Sequence, residues 1–334
     1  AERQKALLAD DMGLGKAAQA ILAARMVGND VAVICPASLR SNWLNEFRIW
    51  WPEQAAKAFV TSYDKAGKTQ QNVFKGRTLV LDEGHYLKNP KAKRTKAVFG
   101  RDGIARHCDR VWALTGTPAP NNPSEMWTML YNMAPETILR GSKPMDHWTF
   151  TRRYCVVKNT GFGDKIVRGQ RIDELRQRIA PFMLRRTKKE VLGDLPELRM
   201  GELSFDAKDC AKSLNELSEF DVINLRAEIE KHGADALNRL ATEMASLRRI
   251  TAEAKAPLLA EWAIRWLQST DEKLVIFAEH RDAITHLTTA LSAFHPAWIH
   301  GGVESDKRGR MVSRFQNDPD CRVFVGQILA AGTG

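Results

Sequence analysis

Three short runs in the first third of the chain are apolar without alternating: Val31-Ala-Val-Ile-Cys35, Thr78-Leu-Val-Leu-Asp82 and Arg110-Val-Trp-Ala-Leu114. Helical patterns separate them, among them the apolar stretch from Ala17 to Met26. That combination predicts strands of a parallel sheet covered on both faces. Chemistry in such sheets collects at the carboxyl ends of the strands, and each of these runs leads into a polar or turn-forming motif. From about 123 to 195 the chain becomes helical, aromatic and basic. Leu203 to Phe205 reads as a short strand, and 207–253 as a long charged helical region. A second alternation follows, with strands over Lys273–Phe277 and Arg322–Val325 and a helix from Asp282 to Ala293. No repeat of solenoid period and no low-complexity segment is present. The expectation is an α/β protein of two related parallel-sheet lobes with helical insertions. The first lobe spans 1–196 with a protrusion at about 123–195, and the second spans 197–334 with one at about 207–253.

A chain of 334 residues exceeds what one hydrophobic core usually organises, which agrees with two lobes. No apolar run approaches a membrane span and no signal-peptide pattern opens the chain, so the reading is not a membrane protein. The opening Ala-Glu-Arg-Gln suggests that natural sequence precedes it. The net charge of +10 fits a polyanionic partner, or simply a soluble basic surface. Five cysteines lie far apart without paired spacing, which argues against a zinc site or disulfide framework and fits a reducing interior.

Asp11-Met-Gly-Leu-Gly-Lys16 is a glycine-rich loop that feeds directly into an apolar helix. Gly13 and Gly15 let the backbone bend so that its N–H groups and the helix N-terminus face phosphate oxygens. Lys16 then neutralises charge on the terminal phosphates. Gly-Leu-Gly also occurs in plain turns, so a second signal matters. Asp82-Glu-Gly-His85 supplies it, directly after the strand through Leu81. A phosphate loop needs one acid to hold Mg²⁺ and another to orient and deprotonate the attacking water. Asp82 is assigned to the metal and Glu83 to the water. Adjacent acids elsewhere usually form a solvated turn, but at a strand end behind a phosphate loop they are specific. Thr115-Gly-Thr-Pro118 reads first as a helix cap, with coupling of nucleotide state to a bound strand as the alternative.

These motifs occur in a familiar order. Asp10-Asp-Met-Gly-Leu-Gly-Lys16, Cys35-Pro-Ala-Ser-Leu-Arg-Ser-Asn-Trp43, Thr61-Ser-Tyr63, Asp82-Glu-Gly-His85-Tyr-Leu-Lys-Asn89 and Leu114-Thr-Gly-Thr-Pro118-Ala-Pro-Asn121 resemble the Swi/Snf family of superfamily-two helicase-like ATPases. Phe182-Met-Leu-Arg-Arg-Thr-Lys188 with Leu195-Pro196 resembles that family's lobe-connecting segment. Leu274-Val-Ile-Phe277 and His300-Gly-Gly302, with Arg308 and Phe315, resemble its second-lobe motifs. Thr251-Ala-Glu-Ala-Lys255 and Ala330-Ala-Gly-Thr-Gly334 resemble the annealing-helicase branch and its bacterial or phage relatives. The resemblance implies two RecA-like lobes that close on ATP and track along duplex DNA without conventional strand separation. It implies ATP and Mg²⁺ at Asp11, Met12, Gly13, Leu14, Gly15, Lys16, Ala17 and His85, with Asp82 on the metal. It places Ser38, Trp43, Thr61, Ser62, Thr117 and Asn121 on or near the DNA path, where small hydroxyl and amide groups suit phosphates. For Trp43 a place in the core is the plainer alternative. The basic run Arg185, Arg186, Lys188, Lys189 reads as a solvated helix face, or, near the lobe junction, as phosphate contacts.

Two departures qualify this. Ala17 stands where a Thr or Ser hydroxyl normally ligates Mg²⁺, which implies weaker metal–nucleotide binding. The family's last motif, its arginine fingers and the upstream adenine contact are absent, and Gln327 replaces a small hydroxyl residue, so the second lobe reads as truncated. The function read from the sequence is an ATP-dependent translocase on double-stranded DNA without sequence preference, in a bacterial or phage-type nucleoid or a eukaryotic nucleus. Its rivals are a non-hydrolysing DNA-binding scaffold and a motor subunit of a restriction or transcription complex.

Overall fold

The computed structural model describes residues 3–160, 163–194, 200–204 and 248–331. They belong to two compact units, Ala1–Glu197 and Leu198–Gly334. The first contains β1 (Lys5–Leu8), β2 (Val31–Cys35), β3 (Phe59–Ser62), β4 (Thr78–Asp82) and β5 (Arg110–Leu114). A two-residue ladder, β6 (Leu139–Arg140) with β7 (Lys143–Pro144), and a hairpin of β8 (Cys155–Asn159) with β9 (Asp164–Gly169) follow, and β10 (Met183–Leu184) closes the set. The main sheet has six strands in the order β10-β1-β5-β4-β2-β3, and every pairing in it is parallel.

The unbroken apolar runs are explained by what covers each face. Successive side chains of a strand point to opposite faces. On one face Ala32 and Ile34 of β2, Leu79 and Leu81 of β4, and Val111 and Ala113 of β5 share a core with Phe74, Leu130 and Phe150. On the other face Val31, Val33 and Cys35, Val80, Trp112 and Leu114 meet Ala20, Ile21 and Ala24 of α1 (Lys16–Val27) and Trp43 and Phe47 of α2 (Arg40–Trp50). With both faces dry, an alternating pattern would bury polar groups, so the sequence offers none. Because the strands are parallel, the segments after Leu8, Cys35, Ser62, Asp82 and Leu114 all leave the same edge.

The stretch from 123 to 195 is not wholly helical. Trp127–Met133, His147–Tyr154 and Ile172–Ile179 are helices, but the antiparallel hairpin of β8 and β9 lies between the last two. Its strands carry the β-branched pairs Val156-Val157 and Ile166-Val167. In its turn the amide of Thr160 donates to the carbonyl of Gly163 at 3.0 Å, and Gly163 takes φ +128°. Strand propensity and turn chemistry outweigh the helical composition around them.

The second unit has a three-stranded parallel sheet of β11 (Leu274–Ala278), β12 (Ala297–Ile299) and β13 (Val323–Gln327), in the order β11-β13-β12. A helix over 248–269 supplies Ala256, Ala260, Ala263 and Leu267 to a core with Ile276, Ile284, Val323 and Val325. Ala297, Ile299, Cys321 and Phe324 line the other side of the sheet. The helix expected from Asp282 runs over Arg281–Ala290. Leu203 and Ser204 are not strand. Phe205 and most of the long helical region expected at 207–253 lie outside the described residues, while 248–253 is helical. Gln327 ties two loops together: its Oε1 accepts from the Gly301 amide at 2.8 Å and its Nε2 donates to the Glu279 carbonyl at 3.0 Å. No helix among the described residues is long and apolar enough to cross a membrane. The α/β class with parallel sheets thus follows from the alternating strands and helices of both units.

Candidate nucleotide-binding and catalytic site

The loop after β1 turns sharply to deliver α1. Gly13 and Gly15 hold φ of +81° and +67°, in the left-handed region where a Cβ is strained. Gly15 gives α1 no side-chain cap, and no acid stands in its first turn. The first-turn amides therefore point out of the helix with the positive end of its dipole, suited to an anion. Lys16 opens the helix, and its Nζ donates to the carbonyls of Asp10 at 2.9 Å and Asp11 at 3.1 Å. Burial lowers the Lys16 pKa, opposed by the charges of Glu83, Asp10 and Asp82. Met12 is exposed and Leu14 half-buried, while Ala17 packs against the core beneath α1.

Asp82 ends β4 in register with Leu114 of β5. Its Oδ1 accepts the Glu83 amide at 3.0 Å, and its Oδ2 accepts the Trp43 indole N–H at 2.7 Å. Burial raises the Asp82 pKa and the neighbouring Glu83 adds to this, more than the two hydrogen bonds and Lys16 offset. Glu83 sits at φ +50°, an unusual backbone for a non-glycine residue. Its Oε2 is buried and makes no hydrogen bond among the described residues, although His85 Nδ1 lies 3.1 Å away. That ring nitrogen is 2.9 Å from Thr115 Oγ1, which itself accepts the Thr117 amide at 3.1 Å. Gly116 presses on the phosphate loop: a Cβ there would lie 2.9 Å from Met12 Cγ and 3.6 Å from Lys16 Nζ. The segment after β5, the acids after β4 and the loop after β1 thus form one cluster.

These residues fit a metal–nucleotide. The loop amides and Lys16 suit phosphate oxygens. Each Asp82 oxygen has spent one of about two acceptor positions, leaving room for a hard cation. Glu83 Oε2, which makes no hydrogen bond among the described residues, suits a water's proton.

The arginines expected on nucleic acid are placed otherwise. Asp10 is fully buried. It accepts Arg186 Nε at 3.1 and 3.2 Å, a further bond from Arg186 Nη2, and the Arg186 amide at 2.9 Å. Burial pushes the Asp10 carboxyl up, but the Arg186 and Gln19 bonds outweigh it and leave it below its ordinary value. Arg185 donates to the carbonyls of Ala9 at 3.1 Å and Gly116 at 3.4 Å and pairs with Asp11 at 3.2 Å. The Lys188 amide donates to Asp11 at 3.1 Å. Both guanidiniums are occupied as a brace on the phosphate loop, because the two acids beneath them need cations more than distant solvent does.

The remaining nucleic-acid candidates divide. Thr61 and Ser62 are buried at 5% and 4% exposure. The expectation drawn from their hydroxyls meets side chains that are almost wholly covered, for β3 carries them into the packed edge before Tyr63. Ser38, in the turn Ala37–Leu39, and Thr117 are half-buried. Asn121 is exposed, but its Nδ2 donates to Glu125 at 2.7 Å, and Lys88 pairs with the same carboxylate at 2.7 Å. Trp43 is in the core at 1% exposure. Sequence reasoning missed its bond to Asp82, and missed Tyr63, whose hydroxyl donates to the Asp82 carbonyl at 2.7 Å. Both stand inside quoted motifs, which was the available signal.

The SNF2-related domain model matches residues 2–72 and 53–255. Human DNA annealing helicase and endonuclease ZRANB3 is 28% identical over 365 residues, covering 99% of this chain and 32% of that protein. SWI/SNF-related matrix-associated actin-dependent regulator of chromatin subfamily A-like protein 1 is 28% identical in Xenopus tropicalis, over 98% of this chain and 36% of that protein. Its Drosophila melanogaster counterpart is 29% identical, over 100% of this chain and 45% of that protein. The chain spans about a third of the length of the first two relatives. The Sulfolobus solfataricus SWI2/SNF2 ATPase core in complex with dsDNA aligns with a TM-score of 0.46 and 22% identity, covering 97% of this chain and 73% of that one. The family model accounts for most of the described sequence, and the chain belongs to the SNF2-related domain family.

Proposed function

We propose that the chain is the motor of an ATP-dependent translocase on duplex DNA. The observation that carries the reading is the meeting of Lys16, Asp82 and Glu83 at one edge of a parallel sheet, with Glu83 Oε2 buried and facing His85 Nδ1 at 3.1 Å. The loop amides and Lys16 bind the ATP phosphates, Asp82 holds the cation, and Glu83 takes the proton of the attacking water at Oε2. Mg²⁺, when bound, supplies charge neutralisation on the transferring phosphoryl group. His85 and Thr115 connect the base to the backbone of Thr117, which gives the acids a route to the segment before Asn121. The DNA half of the reading rests on the annealing-helicase name of a relative spanning this chain and on the charge of +10. Binding is expected to be independent of sequence, through phosphates.

Glu83→Gln in the full-length protein tests this. Without the base, turnover should fall at least about a hundredfold while ATP binding persists. Near-normal DNA-stimulated phosphate release by the variant refutes the assignment. A second reading, a DNA-binding module that does not hydrolyse ATP, is favoured by one observation, the missing hydroxyl at Ala17. No phosphate release from the wild-type protein with DNA would select it.

A further inference from the structure

Asp82 receives two hydrogen bonds that the hydrolytic chemistry does not itself require. The Trp43 indole N–H donates to its carboxylate Oδ2 at 2.7 Å, and the Tyr63 hydroxyl donates to its backbone carbonyl at 2.7 Å. Both rings are buried, at 1% and 4% exposure. Their placement is rigid. Trp43 lies in the core shared with Ile21 and Ala24 of α1 and Val80 of β4. Tyr63 stacks on Tyr86, with ring centroids 5.6 Å apart and planes 11° from parallel. An indole nitrogen can only donate, so Trp43 has one use for this bond. It holds one carboxylate oxygen while the Glu83 amide holds the other at 3.0 Å.

The two rings also come from particular places. Trp43 is in the first turns of α2, which follows the Ser38 turn. Tyr63 follows Thr61 and Ser62 at the end of β3. A displacement of either segment therefore reaches Asp82 through one bond.

We propose that Trp43 and Tyr63 are positioning residues for Asp82. Trp43 holds the Asp82 carboxylate and Tyr63 its main chain in the cation-binding arrangement, and they transmit movement of the Ser38 turn and the end of β3 to the metal–nucleotide site. The transmission half rests on the reading of the chain as a DNA-stimulated ATPase, whereas the positioning half needs only the metal site. A buried tryptophan that merely satisfies its N–H with the nearest acceptor would affect stability alone. Partners that orient a metal ligand change metal affinity or activity by about 10–100-fold.

The experiment uses Trp43→Phe and Tyr63→Phe in the full-length protein, each first shown to be folded by circular dichroism. Binding of a fluorescent ADP analogue is measured without DNA, both in EDTA and across a Mg²⁺ series. Each variant should need about tenfold more Mg²⁺ for half-maximal binding, with affinity in EDTA unchanged. An unchanged Mg²⁺ midpoint in both variants overturns the positioning role. Tyr63→Phe removes a single oxygen and keeps the test alive should Trp43→Phe fail to fold. The ratio of DNA-stimulated to basal phosphate release is then measured at saturating Mg²⁺. It should fall several-fold while DNA affinity holds, and an unchanged ratio overturns the transmission. Wild-type protein that DNA does not stimulate refutes the translocase reading and the transmission together, and the Mg²⁺ midpoints still decide the positioning.

Discussion

Replacing Arg186 with alanine should destabilise the first unit rather than weaken a nucleic-acid contact. Asp10 is fully buried, and the substitution removes every guanidinium bond to it. What remains is the residue 186 amide at 2.9 Å and Gln19 Nε2 at 3.3 Å. A buried carboxylate stripped of its cation costs about 3–5 kcal/mol. The Arg186 side chain is 41% exposed, so water screens part of the pair, and with two donors retained the expected loss is about 2–3 kcal/mol. In a domain of this size that corresponds to a melting shift of about 4–12 °C. The pH dependence gives a second handle. The folded Asp10 pKa lies below its ordinary value because the Arg186 and Gln19 bonds outweigh burial. Stabilisation from this group is therefore complete above the ordinary value of 3.8 and lost as pH falls through the folded one. In Arg186→Ala, burial acts with less opposition, the carboxyl moves up, and the deficit against wild type should be largest near neutrality and shrink on acidification. Urea unfolding followed by tryptophan fluorescence over a pH series measures this, and Asp10→Asn added to the variant should recover part of the loss. A variant within about 0.5 kcal/mol of wild type at neutral pH, or a deficit indifferent to pH, refutes the brace.

Three further outcomes are expected. Arg185→Ala should leave the salt dependence of duplex binding unchanged in fluorescence anisotropy, since its guanidinium is spent on Ala9, Gly116 and Asp11. A slope shallower by roughly 0.9 would show a phosphate contact instead. Ala17→Thr should strengthen Mg²⁺–nucleotide binding by about 1 kcal/mol by restoring a ligand oxygen beside Lys16, and titration with a non-hydrolysable nucleotide that shows no gain would mean the loop has adapted to alanine. Glu125→Ala should release Lys88 and Asn121 and steepen the salt slope of DNA binding by roughly 0.9. An unchanged slope would place that surface off the DNA path.

The sequence was most legible where burial imposes a simple pattern. Val31–Cys35, Thr78–Asp82 and Arg110–Leu114 are strands over the expected residues because both faces of the sheet are dry. β1, β3 and β10 carry no such pattern. Lys5-Ala-Leu-Leu8 is too short for a period to show, and Met183–Leu184 is strand only because β1 offers it a parallel edge. The hairpin of β8 and β9 was hidden by a basic, aromatic composition, although its valine pair and glycine turn were there to be read.

The site shows where residue type stops short of partner. Lys16, Asp82 and Glu83 could be named as candidates because a glycine-rich loop before a helix and a strand-end acid pair are local patterns, and the structure brings the three together. Arg185 and Arg186 were recognisable only as cations, and their acids lie 174 and 176 residues away in the chain. No local pattern could say whether those cations faced a carboxylate or a phosphate. Thr61 and Ser62 carry hydroxyls suited to phosphate, yet burial at a strand end depends on what packs over it. For Trp43 a place in the core and a functional contact are compatible. An indole has an apolar body and a polar edge, so one ring can lie wholly in the core and still hold Asp82 through its N–H. Inside an active-site motif, burial of an amphipathic side chain is therefore poor evidence against function. It moves the question from what touches the ligand to what holds the groups that do.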